Sequence, residues 1–149
     1  MLRELCRMGK RFLDSQRTQQ PFGIGPWPCL NSASEHLGQR LITTVEVSIT
    51  KRRRRRVPLG TFRCICGFAY SRVGPDRSDL DQYHIDDYVS FGEQWEKRVR
   101  ELMSVGKTPD TIAASLDISR RTLRSQLVRL GLLRQSQATE RSKAAKFNH

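Results

Sequence analysis

The sequence has no run of about 18 apolar residues, so no helical membrane span is expected. Its first twenty residues, MLRELCRMGKRFLDSQRTQQ, lack an apolar core and carry acids, so they do not read as a secretory signal. Aromatics are 7% and hydrophobic residues 37% of 149 residues. That leaves room for one modest core or two small ones; the chain is too short for most α/β barrels and leaves little room for a doubly wound fold with a substrate domain. Four cysteines are too few for a disulfide framework, and Cys64 and Cys66 are too close to pair with each other. A reducing, cytoplasmic setting and a metal are the better expectation. Acids are also scarce: 15 Asp and Glu stand against 27 Lys and Arg, a net charge of +12. Such a balance calls for a polyanion, with nucleic acid ahead of an acidic membrane surface.

The charge is segregated. Residues 51–72 hold Lys51, Arg52, Arg53, Arg54, Arg55, Arg56, Arg63 and Arg72 with no acid. Residues 73–96 reverse the sign, with Asp76, Asp79, Asp81, Asp86, Asp87, Glu93 and Glu96 against Arg77. Residues 97–149 return twelve Lys and Arg against four acids. The pattern divides the chain into an N-terminal helix (1–20), a basic module (21–72), an acidic connector (73–90), a second basic module (91–132) and a basic tail (133–149). A charge run is often only a solvated surface. Five consecutive arginines repel one another and ask for a counterion or a partner.

In the first module, Val45, Val47 and Ile49 alternate with Thr44, Glu46 and Ser48, the pattern of a half-buried strand. The Lys-Arg run interrupts it. Pro58 and Gly60 then lead into a second strand, TFRCICGFAY. The two strands are expected to form a hairpin with the arginines at its tip. Cys29, His36, Cys64 and Cys66 have the spacing C-x6-H-x27-C-x-C and could hold a structural zinc, which favours four thiolate or imidazole ligands. Gly67 suits a tight metal knuckle. The alternative is three buried thiols with His36 at the surface. Cys6 is expected to be a free thiol, and His84 is a reserve ligand in place of His36.

The second module reads as a helix-turn-helix. Trp95, Val99, Leu102 and Met103 mark a first helix that Gly106 ends. Thr108 caps a short helix starting at Pro109, with Ile112, Ala113 and Leu116 facing inward. Asp117-Ile118-Ser119 form the turn, and Ser119 caps a last helix from Arg120 to Leu130. Leu123, Leu127 and Leu130 form its buried stripe. The opposite face carries Arg121, Ser125 and Arg129, with Arg124 on its shoulder, as a major-groove reader would. Thr111 and Arg120 lie near helix N-termini and suit phosphates. The alternative is a three-helix bundle with a solvated basic face. The fold class is thus α+β: a small zinc-bound β-hairpin module followed by a mostly helical domain.

Three further functional classes share parts of this pattern. A helix-turn-helix transcriptional regulator shares these elements, but no heptad run or large apolar segment offers a dimer interface. An enzyme is not expected. The Asp76–Asp87 acids have no apparent framework, and Tyr70-Ser71-Arg72 lies in a strand end. An RNA-binding protein suits the charge but lacks the aromatic strand signature.

Trp27-Pro28-Cys29-Leu30-Asn31, His36 and the string from Gly60 to Arg72 (GTFRCICGFAYSR) resemble the C-terminal region of TnsD proteins. Phe91-Gly92, Trp95 and the helical module follow in the same order. The resemblance covers roughly residues 20–132. TnsD, related to TniQ, is the target-site selector of bacterial TnsABC-type transposons. The resemblance implies a sequence-specific binder of double-stranded DNA that recruits the transposon's ATPase regulator. It implies Cys29, His36, Cys64 and Cys66 as zinc ligands and residues 108–131 as the DNA reader. Such a protein would sit in the cytoplasm on the nucleoid. Family members are several times longer and begin with a TniQ-type domain, so this chain is expected to be a fragment, and recruitment of the ATPase regulator would be lost with the missing part if it resides there.

Overall fold

The computed structural model describes residues 20–134. The helix expected over 1–20, with Cys6, and the tail from residue 135 lie outside them. The chain divides into two compact units, with the boundary between Glu96 and Lys97. Two antiparallel sheets and three α-helices make up the described residues.

In the first unit, β1 (Trp27–Pro28) pairs with β2 (Arg40–Ile42), and β3 (Val45–Arg52), β4 (Arg55–Arg63), β5 (Ala69–Val73) and β6 (Asp87–Ser90) form a four-stranded meander in chain order. The expected hairpin is β3–β4, in unbroken register from Val45↔Phe62 to Arg52↔Arg55. Three details differ from the sequence reading. The basic run does not interrupt the strand: it continues the pairing on both sides of a two-residue turn at Arg53 and Arg54. Pro58 and Gly60 lie inside β4 rather than before it. TFRCICGFAY is not one strand, because a tight turn at Cys64–Gly67 splits it between β4 and β5.

β3 is an edge strand, and its apolar face stays open. Val47 and Ile49 are 47% and 58% exposed, so the strand expected to be half-buried is mostly exposed. The core lies further along the same face. Phe62 stacks on Tyr70, with ring centroids 5.1 Å apart, and receives the edges of Phe22 and Trp27. Gly60 is the reason Phe22 fits. A Cβ there would stand 2.8 Å from the Phe22 ring. Phe68, Tyr88, Phe91 and Trp95 extend the aromatic cluster.

The stretch read as an acidic connector is built into this unit. Arg72, 1% exposed, lies over Phe62 with its Cζ 4.2 Å from the ring centroid, and Asp76 holds it in a two-pronged ion pair. Asp81 accepts N–H bonds from Arg77 and Ser78 at the start of a 3-10 turn, Asp79–Tyr83. These bonds hold its carboxyl below the usual range. Asp86 accepts from the Val73 N–H, and β6 then completes the sheet.

The second unit continues α1 (Gly92–Ser104) into α2 (Pro109–Ser115) and α3 (Arg120–Arg129). Val99, Ile112, Ala113, Leu116, Leu123 and Leu127 are its buried residues. Thr108 Oγ1 accepts from the Thr111 N–H and Ser119 Oγ from the Thr122 N–H, so both short helices are capped where the sequence indicated. Asp117 adopts a φ of 51° in the turn between them. Leu130 is only half-buried and forms the C-cap of α3 rather than the end of a buried stripe. Among the described residues no helix is long and apolar enough to cross a membrane.

Candidate functional site

Four side chains from two loops converge in the first unit. Cys29 follows β1, and its N–H and carbonyl bond across to Gln39 and Gly38, closing a loop that carries His36. Cys64 and Cys66 come from the turn after β4. That turn is closed by the Gly67 N–H on the Cys64 carbonyl at 3.0 Å and the Cys64 N–H on the Phe68 carbonyl at 2.9 Å. The ligand atoms of Cys29, His36, Cys64 and Cys66 all lie within 4.8 Å of one another.

The spacing suits a tetrahedral ion. Cys29 Sγ is 3.8 Å from Cys66 Sγ, and Cys64 Sγ is 3.5 Å from His36 Nε2. Thiolates about 2.3 Å and imidazoles about 2.0–2.1 Å from a tetrahedral zinc stand about 3.8 Å apart sulfur to sulfur and about 3.5 Å sulfur to nitrogen. These two distances match zinc, and the four residues together are close enough to hold one metal ion. His36, not His84, is the fourth member. His84 Nε2 instead faces Asp86 Oδ1 at 3.3 Å.

The surroundings prepare the sulfurs unequally. Burial pushes the Cys29 thiol up to about 12, with the neighbouring cysteines adding to the rise. Burial alone would also raise Cys66. The Asn31 amide, the Phe68 N–H and His36 outweigh it and bring Cys66 down to about 7. Asn31 is fully buried. Its Nδ2 donates to Cys66 Sγ at 3.5 Å while its Oδ1 accepts from the Ala33 N–H. Such outer contacts orient metal ligands and tune their basicity.

Sequence reasoning missed two supports of this centre. Asn31 was visible only as part of a motif, with no role assigned. Gly92 packs its backbone against the knuckle, where a Cβ would stand 2.7 Å from the Gly67 carbonyl carbon and 2.8 Å from the Cys66 oxygen. Gly67 and Gly92 have φ of 88° and 76°. Each needs a conformation that other residues rarely adopt.

The basic candidates are not members of the metal cluster. Arg52, Arg53, Arg54, Arg55 and Arg56 are all exposed at the end of the β3–β4 hairpin. Arg52 Nη2 is 4.0 Å from Asp86 Oδ1. In the second unit Arg121, Ser125 and Arg129 are exposed along α3 and Arg124 is half-buried, opposite the buried Leu123 and Leu127. Arg129 Nε donates to Gln126 Oε1. Arg120 Nε is 3.4 Å from Asp110 Oδ1, and the Thr111 hydroxyl is engaged with Thr108. These last two are already partnered within the protein.

The family model for TnsD, Tn7-like transposition protein D, matches residues 5–149. No curated protein and no solved structure matches the chain.

Proposed function

Because the chain belongs to the TnsD family of Tn7-like transposition proteins, we propose that it binds double-stranded DNA and selects the site at which transposition occurs. In this reading α2, the turn and α3 act as a helix-turn-helix, with α3 in the major groove. One observation carries it: α3 buries Leu123 and Leu127 and turns Arg121, Ser125 and Arg129 outward. Arginine matches the guanine O6 and N7 acceptors with two parallel bonds. The exposed arginines of the hairpin hold phosphates, which adds affinity without sequence information. Zinc at Cys29, His36, Cys64 and Cys66 would tie the loop after β1 to the turn after β4, and so fix the base from which the hairpin projects. The protein acts by binding rather than by catalysis, on the nucleoid in the cytoplasm. Its protein partner would be the transposon's ATPase regulator.

Selection of bound sequences from random duplex DNA tests this reading. The expected result is one enriched motif, with affinity falling as salt rises at about 0.9 log units per log unit for each phosphate contact. A pool that stays random, or binding indifferent to salt, refutes it.

A further inference from the structure

We infer that the tip of the β3–β4 hairpin places Arg53 and Arg54 in the minor groove of duplex DNA, so that the chain responds to groove shape as well as to base edges. This rests on the duplex-binding reading and goes beyond the phosphate grip.

The first support is reach. β5 accompanies β4 only as far as Leu59↔Val73, with a last bond from the Gly74 N–H to the Pro58 carbonyl. From Thr50↔Val57 outward, β3 and β4 have only each other. At about 3.4 Å per residue, the free prong projects roughly 10 Å.

The second is where the charge points. Directly opposed residues in an antiparallel pair share a face. Lys51 and Arg56 are opposed, and so are Arg52 and Arg55 one step nearer the tip. The prong is therefore cationic on both faces and at its end. Among the described residues, an acid reaches it only where Asp86 meets Arg52. A prong lying flat on one phosphate wall would leave the other face without a counter-charge. So would a ribbon laid along the major groove, which turns one face to the bases and one to solvent. Two anionic walls with a gap between them match cations on both faces. The minor groove offers that gap: at about 6 Å wide it is too narrow for the ribbon and wide enough for arginine side chains. The tip enters while both faces meet the flanking phosphates.

The third is the turn itself. Arg53 and Arg54 have φ of 48° and 66°. A two-residue hairpin turn with both central residues left-handed favours Asn-Gly or Asp-Gly. Arginine is used here against that preference, and the side chains at the tip supply the reason. Guanidinium is weakly hydrated for a cation and is drawn to the enhanced negative potential of a narrow minor groove.

The test uses the full chain, loaded with zinc, and the double variant Arg53→Asn/Arg54→Gly. That variant removes both tip cations and supplies the residues this turn prefers, so the hairpin is retained. Short synthetic duplexes of alternating A·T, I·C and G·C are compared by anisotropy. Inosine keeps guanine's major-groove acceptors and removes its minor-groove amino group. The unmodified chain should bind the A·T and I·C duplexes several-fold more tightly than G·C. The variant should lose that preference and keep measurable binding to all three. Equal binding of I·C and G·C by the unmodified chain overturns the inference while leaving duplex binding intact. A variant that weakens equally on all three duplexes also overturns it, because the tip then grips phosphate alone. If the unmodified chain binds no duplex, or prefers an RNA duplex, the duplex-binding reading itself falls.

Discussion

Replacing Arg72 by methionine should destabilise the first unit more than any surface substitution. Arg72 is 1% exposed, and its Nη2 and Nε reach Asp76 Oδ2 and Oδ1 at 2.7 and 3.1 Å. Its Nη1 also donates to the Gln82 carbonyl at 3.3 Å. The Asp76 side chain is 16% exposed, so without its partner it becomes a mostly buried lone carboxylate. Breaking one side of a buried pair costs about 3–5 kcal/mol. The guanidinium also contributes about 2 kcal/mol over the Phe22 and Phe62 rings. Methionine recovers about 0.3–1.5 kcal/mol of that through sulfur–aromatic contact. The net loss is about 4–7 kcal/mol, a large part of the about 5–15 kcal/mol by which an ordinary domain is stable.

The double variant Arg72→Met/Asp76→Leu removes both charges and should recover most of the loss, because apolar replacements of a buried pair are often neutral. Both tryptophans of the chain, Trp27 and Trp95, belong to the first unit, so their fluorescence in urea follows that unit. A single variant costing under about 1 kcal/mol refutes the reasoning. So does a double variant whose loss is the sum of the two single losses, since coupled residues in contact should depart from additivity.

Zinc affinity should rise with pH, because the ligand sulfurs bind as thiolates. Cys66 titrates near 7 in the metal-free chain, so below that value binding must displace one more proton than above it. The affinity-against-pH slope should therefore fall by one as pH passes about 7, as competition with a chromophoric chelator would record. A constant slope from about pH 6 to about pH 8 would contradict the Cys66 assignment. Gly92→Ala should weaken zinc binding by about 10–100-fold through the knuckle it displaces. Gly106→Ala, at a similar φ of 81° but with open space around it, should leave zinc binding unchanged. Equal effects from both would mean that crowding at Cys66 is not the cause. Arg121→Ala should reduce discrimination between duplex sequences by about 1–3 kcal/mol. Neutralising Arg52, Arg55 and Arg56 should weaken all sequences alike, and equilibrium binding to a selected site and to random DNA separates the two.

The Cys/His cluster and the capped helices were legible because each is written in local chemistry. C-x-C-G specifies a tight turn with two sulfurs on it, and Thr108 and Ser119 stand where helix caps belong. The hairpin was legible from alternation, but its turn was not. Five arginines in a row contain none of the Asn-Gly signals that mark where a strand reverses, so the reversal at Arg53 and Arg54 had no local signature. Arg72 was counted with the basic surface because nothing in the sequence separates an exposed arginine from one held under Phe22. The acids misled for the same reason. β6 is four residues long and too short to display a period, so Asp76, Asp81 and Asp86 read as a solvated linker.

Their placement changes what the net charge means. Asp76 is spent on Arg72, Asp81 on two backbone N–H groups and Asp86 on the Val73 N–H, with one edge toward Arg52. These acids serve the fold, and of the three only Asp86 also pairs with the hairpin, at Arg52. The basic surface of the first unit is therefore narrower than its composition suggests, since Arg72 does not belong to it. It is also more concentrated, because Lys51 through Arg56 share one short prong, where Asp86 pairs with Arg52. A polyanion approaching this unit meets a small cationic prong rather than a diffuse positive face. That geometry favours insertion over coating.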